Sequence, residues 1–588
     1  MKTYFKTSKR MFKKHLAKLF SILFIILISI GLIYGVAAAP SKVNDSITEY
    51  YQDNNVADLL IKSTRQTGFS QDEITLVKDF YGEDNIMLAT SFDLEVDAEV
   101  VRYHYLDLDD ITINELDLLE GDMPKGDDEV LVERETGKLK KYEVGDKIEI
   151  NNNTYTVAGV VKNPYYFQNL EEPSYIEDKD LTAIVYLDTN AYLPVNDIYV
   201  SFSNKNKLDN MEDSYEDIVQ EEKDIIKEKL ADVTVLSLYE NVSFYKVFTL
   251  TDKINVIALV LLIGFICVSA LVVLSTMSRL IEEERKVIAC FKTLGYSNFI
   301  IMLRYLLFAS IATIIGGILA YFVGQFITIV IYYNFDAMFN MPDMTDKVSY
   351  FHYFLTLGIL VISTLLVTVY TSYSITKVLP AYIFKKKSPK KGKKVFLEKI
   401  PFIWKRLSFK YKSTLRNILR YKKHFFMTVI SVMGSTILVF LAVGLFSYSL
   451  SDEMLGEALT FICLLVLVFA ALLTILVIYT LTNINISERY KEISTLMVLG
   501  YYDKEVTGYI YREIYIMCLI GIVIGLPLGH VCLEGVFNLL DFGSMEEVGV
   551  YVYLITPILT GLFTVIITLI LKRKITNIKL NESLKEVE

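Results

Sequence analysis

"IEEERKVIACFKTLGY" occupies Ile281–Tyr296, and "ISERYKEISTLMVLGY" occupies Ile486–Tyr501. At one constant offset they match at Ile281/Ile486, Glu283/Glu488, Lys286/Lys491, Ile288/Ile493, Leu294/Leu499, Gly295/Gly500 and Tyr296/Tyr501. Each follows a long apolar run. Chance apolar similarity does not hold Glu, Lys and Leu-Gly-Tyr in register, so the pair marks an internal duplication, the feature to seek before any other.

Working outward, about 20 apolar residues are needed to cross a bilayer core. Eight runs qualify: Leu19–Ala39, Ile254–Ser275, Ile300–Tyr332, Phe351–Tyr373, Phe425–Tyr448, Leu459–Leu481, Val506–Cys532 and Val550–Leu571. The first ends in "AAAP" (Ala37–Pro40), which looks like a cleavage site. Its apolar stretch is longer than a signal core, so an uncleaved anchor is expected. A hydrophobic share of 53% and a mean hydropathy of +0.38 fit a membrane protein. Between Ser41 and Leu250 about 46 acidic residues face about 19 basic ones, while the whole chain nets −10. The remainder is therefore strongly basic, as expected of one large exposed domain on a membrane protein.

The loops give the orientation. Lys2, Lys6, Lys9, Arg10, Lys13, Lys14 and Lys18 precede the first run without an acid. The link from Ser374 to His424 holds about seventeen Lys and Arg against Glu398 alone, and the tail opens with "KRK" at Lys572. Loops after the third, fifth and seventh runs ("NFDAMFNMPDMTDK", "SDEMLGE", "NLLDFGSMEEVGV") are acidic or nearly free of Lys and Arg. Both termini are expected in the cytoplasm, with residues 41–250 outside and both repeated stretches inside.

Further correspondences extend the repeat. "KKH" at Lys13–His15 recurs at Lys422–His424, each on a basic segment expected to lie as an amphipathic helix on the inner surface. Gly316, Ala320 and Gly324 in the third run correspond to Gly521, Gly525 and Gly529 in the seventh. Small residues four apart make a smooth strip for close helix packing. Pro527 kinks the seventh run, whereas the third has no proline there. In the exported part, "GDKIEINNNTYTVAGVV" (Gly145–Val161) reads as a hairpin around an Asn-rich turn. Glu129–Asp146 reads as a strand, a short helix and a turn. Met211–Val233 reads as a helix whose core stripe is Tyr215, Ile218, Val219, Ile225, Ile226 and Leu230.

Motifs of chemistry are missing. "GDMPKGDD" (Gly121–Asp128) lacks the Lys-Ser/Thr of a phosphate loop and reads as turn chemistry. His104, beside Asp107, Asp109 and Asp110, lacks a second imidazole or a cysteine for a metal site. Cys267, Cys290, Cys463, Cys518 and Cys532 all lie outside the exported part without metal-site spacing. Neither G-x-S-x-G nor H-E-x-x-H occurs. No catalytic, cofactor or metal residue is expected in this chain, and nothing suggests nucleic acid.

At these residues the chain resembles MacB/FtsX-type ABC permeases. The E-x-x-K-x-I…Leu-Gly stretches are similar to their coupling segments. "DLLEGDMPKGDDEVLVE…VGDKIEINNNTYTVAGVVKNPYYF" is similar to their extracytoplasmic domain. The resemblance implies an α-helical polytopic membrane protein whose eight spans form two four-span repeats, with one mixed α/β extracytoplasmic domain between spans one and two. It implies residues 1–40 as amphipathic segment and first span, 41–250 as the MacB-like domain, and 251–380 as spans two to four with coupling helix 281–296. A basic linker follows at 381–424, then an FtsX-like unit at 425–572 with coupling helix 486–501, and a tail at 573–588. It further implies mechanotransmission in the plasma membrane, powered by two copies of a separate ABC ATPase that binds ATP and Mg. The function implied is export or extraction of a peptide, lipid or lipoprotein. The other reading is a signalling platform that controls a cell-wall hydrolase or sensor through an extracytoplasmic protein or peptide partner. In both, Glu283, Lys286, Ile288, Leu294, Gly295 and Tyr296, with Glu488, Lys491, Ile493, Leu499, Gly500 and Tyr501, are the expected ATPase-coupling residues. The missing second exported domain departs from a symmetric arrangement.

Overall fold

A computed structural model describes residues 2–96, 99–135, 139–150, 153–166, 174–176, 179, 181–188, 193–202, 213–339, 341–381, 398, 401–406, 408–420, 422–451, 456–540 and 543–576. The chain forms two compact units. The first comprises residues 1–38, 255–328 and 350–588, and the second comprises 39–254 and 329–349.

The first unit is helical. A basic helix α1 (Lys2–Lys14) breaks at His15 and is followed by α2 (Leu16–Asp53), which runs unbroken through Ala37–Pro40. Past the second unit's α3 (Gln71–Tyr81) and α4 (Asp213–Lys229) come α5 (Val242–Glu283), the short α6 (Arg285–Thr293), α7 (Asn298–Phe339) and α8 (Tyr350–Thr376). The later part holds α9 (Pro401–Arg406), α10 (Phe409–Arg420), α11 (Lys422–Ser449), α12 (Gly456–Glu488), the short α13 (Tyr490–Val498), α14 (Asp503–Leu540) and α15 (Val552–Thr576). Eight of these, α2, α5, α7, α8, α11, α12, α14 and α15, are long and apolar enough to cross a membrane.

Small residues decide the tightest packing. A Cβ on Gly316 would lie 2.9 Å from the Leu23 carbonyl of α2, and one on Gly324 would meet the Tyr34 ring at 2.3 Å. On α14 a Cβ at Gly521 would approach the Val429 carbonyl of α11 at 3.1 Å, and one at Gly529 would meet Phe440 at 2.9 Å. Backbones approach this closely only where side chains are absent. Ala320 is fully buried between them in sequence.

In the second unit ten strands form one mixed sheet: β1 (Leu59–Ser63), β2 (Ile86–Val96), β3 (Glu99–Leu106), β4 (Asp117–Gly121), β5 (Glu129–Glu133), β6 (Lys147–Ile150), β7 (Asn153–Lys162), β8 (Ala183–Asp188), β9 (Asp197–Val200) and β10 (Val233–Ser237). The order is β10-β1-β9-β2-β3-β8-β5-β7-β4, with β6 on β7. The long β2 joins two parts of the sheet: Ile86–Ala89 pairs with β9, and Thr90–Val96 pairs with β3. Two cores result. Ile61, Ile198 and Val235 pack with Val77 of α3 and Val219 and Ile226 of α4, whereas Tyr103, Val132, Val157 and Val185 pack apart from them.

One expectation is corrected here, that Ile218 belongs to the core stripe of α4. The Gly145–Val161 hairpin is present as β6–β7, and the short helix expected before it falls partly on Thr136–Lys138, which lie outside the described residues. On α4, Tyr215, Val219, Ile226 and Leu230 are buried and Ile225 is half-buried, while Ile218 is exposed. Ile218 lies one residue before Val219, about 100° around the helix from it, and so falls outside the stripe. The loop after the third run joins the second unit rather than the spans. There Thr345 N donates to Ser46 Oγ at 3.1 Å, and Lys162 Nζ donates to the Met341 carbonyl at 3.3 Å.

Candidate functional site

The repeated stretches fold into two helix–turn units with the same backbone. The spanning helix α5 stops at Glu283, Glu284 interrupts it, and α6 restarts at Arg285. Likewise α12 stops at Glu488, Arg489 interrupts, and α13 restarts at Tyr490. The interruption places Glu283 at the end of one helix and Lys286 near the start of the next. Glu488 and Lys491 fall likewise on successive helices, and their side chains lie outside the described residues.

Both short helices end in the same cap. Gly295 N donates to the Lys292 carbonyl and Tyr296 N to the Phe291 carbonyl, each at 3.1 Å. Gly500 N donates to the Met497 carbonyl and Tyr501 N to the Leu496 carbonyl, also at 3.1 Å. Gly295 and Gly500 have φ of +84° and +90°, and nothing lies within 4 Å of either position. This 6→1 and 5→2 pairing requires a left-handed residue, which glycine supplies without a Cβ penalty. The glycines therefore serve the turn's backbone, not packing.

The cap pushes the residue before each glycine outward. Leu294 is 72% exposed and Leu499 is 70% exposed. Phe299 stands exposed beside the first tip, and Val498, Tyr501 and Tyr502 beside the second. Lys286 is exposed too. The opposite faces are anchored: Ile288 and Ile493 are buried, and Ile288 belongs to the core that also holds Ile301 and Tyr305 of α7. Tyr296 does not point away from the protein. It stacks on Tyr4 of α1 at 6.0 Å and meets Phe291 edge-on at 5.3 Å. Lys292 Nζ donates to the Val378 carbonyl at 2.7 Å, tying α6 to the end of α8.

A buried ion pair holds each break, with its charges exchanged. Glu284 meets Arg304 of α7 at 3.3 Å and His15 Nε2 at 3.1 Å. Arg489 pairs with Glu513 of α14, whose other oxygen accepts from Asn417 Nδ2 of α10 at 2.9 Å. A buried ion pair adds little net stability but punishes loss of either partner; it specifies where each short helix turns. Glu283 is also committed inside the unit, paired with Lys18 and with Arg279 Nε at 2.7 Å. Sequence matching missed Glu284, Arg304, Arg489 and Glu513, because Glu284 and Arg489 share the repeat offset with opposite charges while Arg304 and Glu513 fall opposite Tyr509 and Phe308.

In the second unit His104 is buried between Ser91 Oγ (2.7 Å) and Tyr166 OH (2.9 Å). Burial, then the Arg102 cation, pushes its pKa well below the ordinary range, so it stays neutral. Asp107, Asp109 and Asp110 are exposed on the turn after β3. Among the described residues no group of three His, Cys, Asp or Glu could hold a metal ion. Glu133, wholly buried, accepts from Tyr186 OH at 2.7 Å and Asn163 N at 3.1 Å, and burial raises its pKa to about 8. These groups make a satisfied polar core.

A family model described as FtsX-like permease C-terminal matches residues 259–380 and 464–576. Each matched segment contains one of the two helix–turn units. The match supports an FtsX/MacB-type ABC permease, and with the eight apolar helices it points to a multi-pass membrane protein. No curated protein matches the chain.

Proposed function

We propose that this chain is the permease subunit of an ABC transporter that contains both coupling elements in one polypeptide. Two separate ATPase subunits would dock on the Leu294 and Leu499 tips, and closure of their dimer would be passed through the bundle by mechanotransmission. The carrying observation is the pair of helix–turn units, each exposing a large apolar side chain on a glycine-capped turn. An exposed leucine at a rigid tip is a knob without a hole inside the chain, and large anchors in pockets dominate interface energy. Anchoring by Ile288, Ile493 and the ion pairs lets force on a tip reach the spans.

The two matched segments and their equal caps support two four-span repeats. The basic N-terminal segment, linker and tail support cytoplasmic termini in the plasma membrane, with residues 41–250 outside. Export or extraction of a peptide, lipid or lipoprotein is the activity in keeping with this arrangement. Control of an extracytoplasmic protein is the second reading. It is favoured by the acidic edge strand β4 with Leu118 and Leu119 exposed, an edge able to pair with another chain.

Native mass spectrometry of the full chain affinity-purified from its own membrane tests the coupling. One permease with two ATPase subunits is the expected mass. Two permease chains per ATPase pair would remove the docking role from one tip, and a permease free of any ATPase would remove it from both.

A further inference from the structure

The basic linker folds in part as α9 and α10, which bring aromatic rings and cations together. Phe402 is 67% exposed, with the Arg406 guanidinium 4.3 Å from its ring centre. Trp404, the one tryptophan of the chain, lies against α10, with Arg416 at 5.3 Å and Lys412 at 5.9 Å from its ring. Tyr411 is exposed on the first turn of α10, and Lys405, Arg406 and Lys410 are exposed close by in sequence. Glu398, the single acid between Ser374 and His424, is already paired with Arg416 at 2.7 Å. The other face of α10 is fixed to the bundle. Thr414 and Ile418 are buried there, and Asn417 Nδ2 donates to Glu513 of α14, the partner of Arg489. With that face held, the side of α10 that meets Trp404 stays outward.

One residue separates α10 from α11, a helix long and apolar enough to span a bilayer, so this surface lies where that span meets the headgroups. Water expels an exposed phenylalanine ring, and an indole settles at the level where acyl chains meet headgroups. Exposed cations flanking such rings, in a linker of about seventeen Lys and Arg against one acid, favour an anionic surface over a neutral one. The same excess of one sign opposes a second copy of this chain on the same face. We propose that α9 and the outward side of α10 dock on anionic phospholipid. Phe402 and Trp404 sit at the base of the headgroups, and Lys405, Arg406 and Lys410 meet the phosphates. The leaflet is the one on the linker's side, taken as cytoplasmic in the permease orientation given above. Through Asn417 and Glu513 the docked surface is joined to the Arg489 break of the second coupling unit.

Trp404 reports on this surface alone, because its fluorescence is the chain's only tryptophan signal. The full chain is placed in nanodiscs of phosphatidylcholine and phosphatidylglycerol, with bromine near the headgroup of one lipid or the other as the quencher. Brominated phosphatidylglycerol should quench about fivefold more per lipid than brominated phosphatidylcholine, the factor that one cation near an anionic surface supplies. Replacing Lys405, Arg406 and Lys410 with glutamine should make the two lipids quench equally. Phe402→Ala, which keeps every charge, should weaken quenching by both. Millimolar inorganic phosphate should leave the preference intact. Equal quenching by both lipids in the wild type, an unchanged preference in the triple variant, or loss of the preference to free phosphate would overturn the proposal. So would quenching of Trp404 by aqueous iodide and by neither lipid, which would turn this face to a soluble partner. No ATPase enters the measurement and bromine acts from either leaflet, so its failure is separate from failure of the docking and orientation readings.

Discussion

Replacing Leu294 and Leu499 with alanine strikes the docking reading at its narrowest point. These side chains are 72% and 70% exposed, so about seven-tenths of each surface remains for a partner to cover. Burying a whole leucine contributes about 1.5–3 kcal/mol. After that fraction and the methyl that alanine keeps are taken off, each tip loses roughly 1 kcal/mol, or about fivefold in Kd. The tips share no partner side chain, so their losses should add to roughly 2 kcal/mol, about thirtyfold. Neither substitution disturbs packing inside the chain, and neither touches the glycine that sets the turn. The assay titrates the ATPase onto the full chain in nanodiscs, following both binding and lipid-bilayer-dependent ATP turnover. Single variants near fivefold and a double variant near thirtyfold are expected, with unchanged thermal stability. A double variant that binds within twofold of the wild type would refute the reasoning.

Two further predictions concern stability. A Cβ at Gly525 would lie 2.8 Å from Thr436 Cβ and 3.1 Å from the Met433 carbonyl, whereas one at Gly561 meets nothing within 4 Å. Gly525→Ala should therefore cost about 1–3 kcal/mol by overpacking and lower the unfolding temperature in detergent, while Gly561→Ala does not. Glu133 holds its proton up to about pH 8 when folded, against 4.5 as the ordinary value. Its stabilising contribution is complete below pH 4.5 and declines as pH rises towards 8, since the unfolded carboxyl releases its proton first. Denaturant melts of the wild type should weaken across that window and those of Glu133→Gln should weaken less; equal slopes would remove Glu133 from the account.

Much of the candidate site can be read in the linear chain because its determinants are local. A left-handed cap needs glycine whatever surrounds it, so Leu294-Gly295-Tyr296 and Leu499-Gly500-Tyr501 announce their turns. Bilayer thickness sets the length of an apolar run, so eight candidate spans are visible as composition alone. The same holds for the β6–β7 hairpin, whose alternation and Asn-rich turn are both short-range.

Direction in space was not written there. Glu283 and Lys286 have the spacing of one helical face, yet Glu283 is already paired inside the chain with Lys18 and Arg279. Ile288 and Ile493 resemble surface docking positions only until the neighbouring helices cover them. The exchanged ion pairs Glu284–Arg304 and Arg489–Glu513 escape residue matching because a Coulomb attraction is indifferent to which partner carries which sign. Hydropathy, spacing and caps act within a few residues of chain, and those the sequence by itself determined. Which face of a short helix is free, and which carboxylate already has its cation, depends on groups up to hundreds of residues away, and only the tertiary structure brings them into contact.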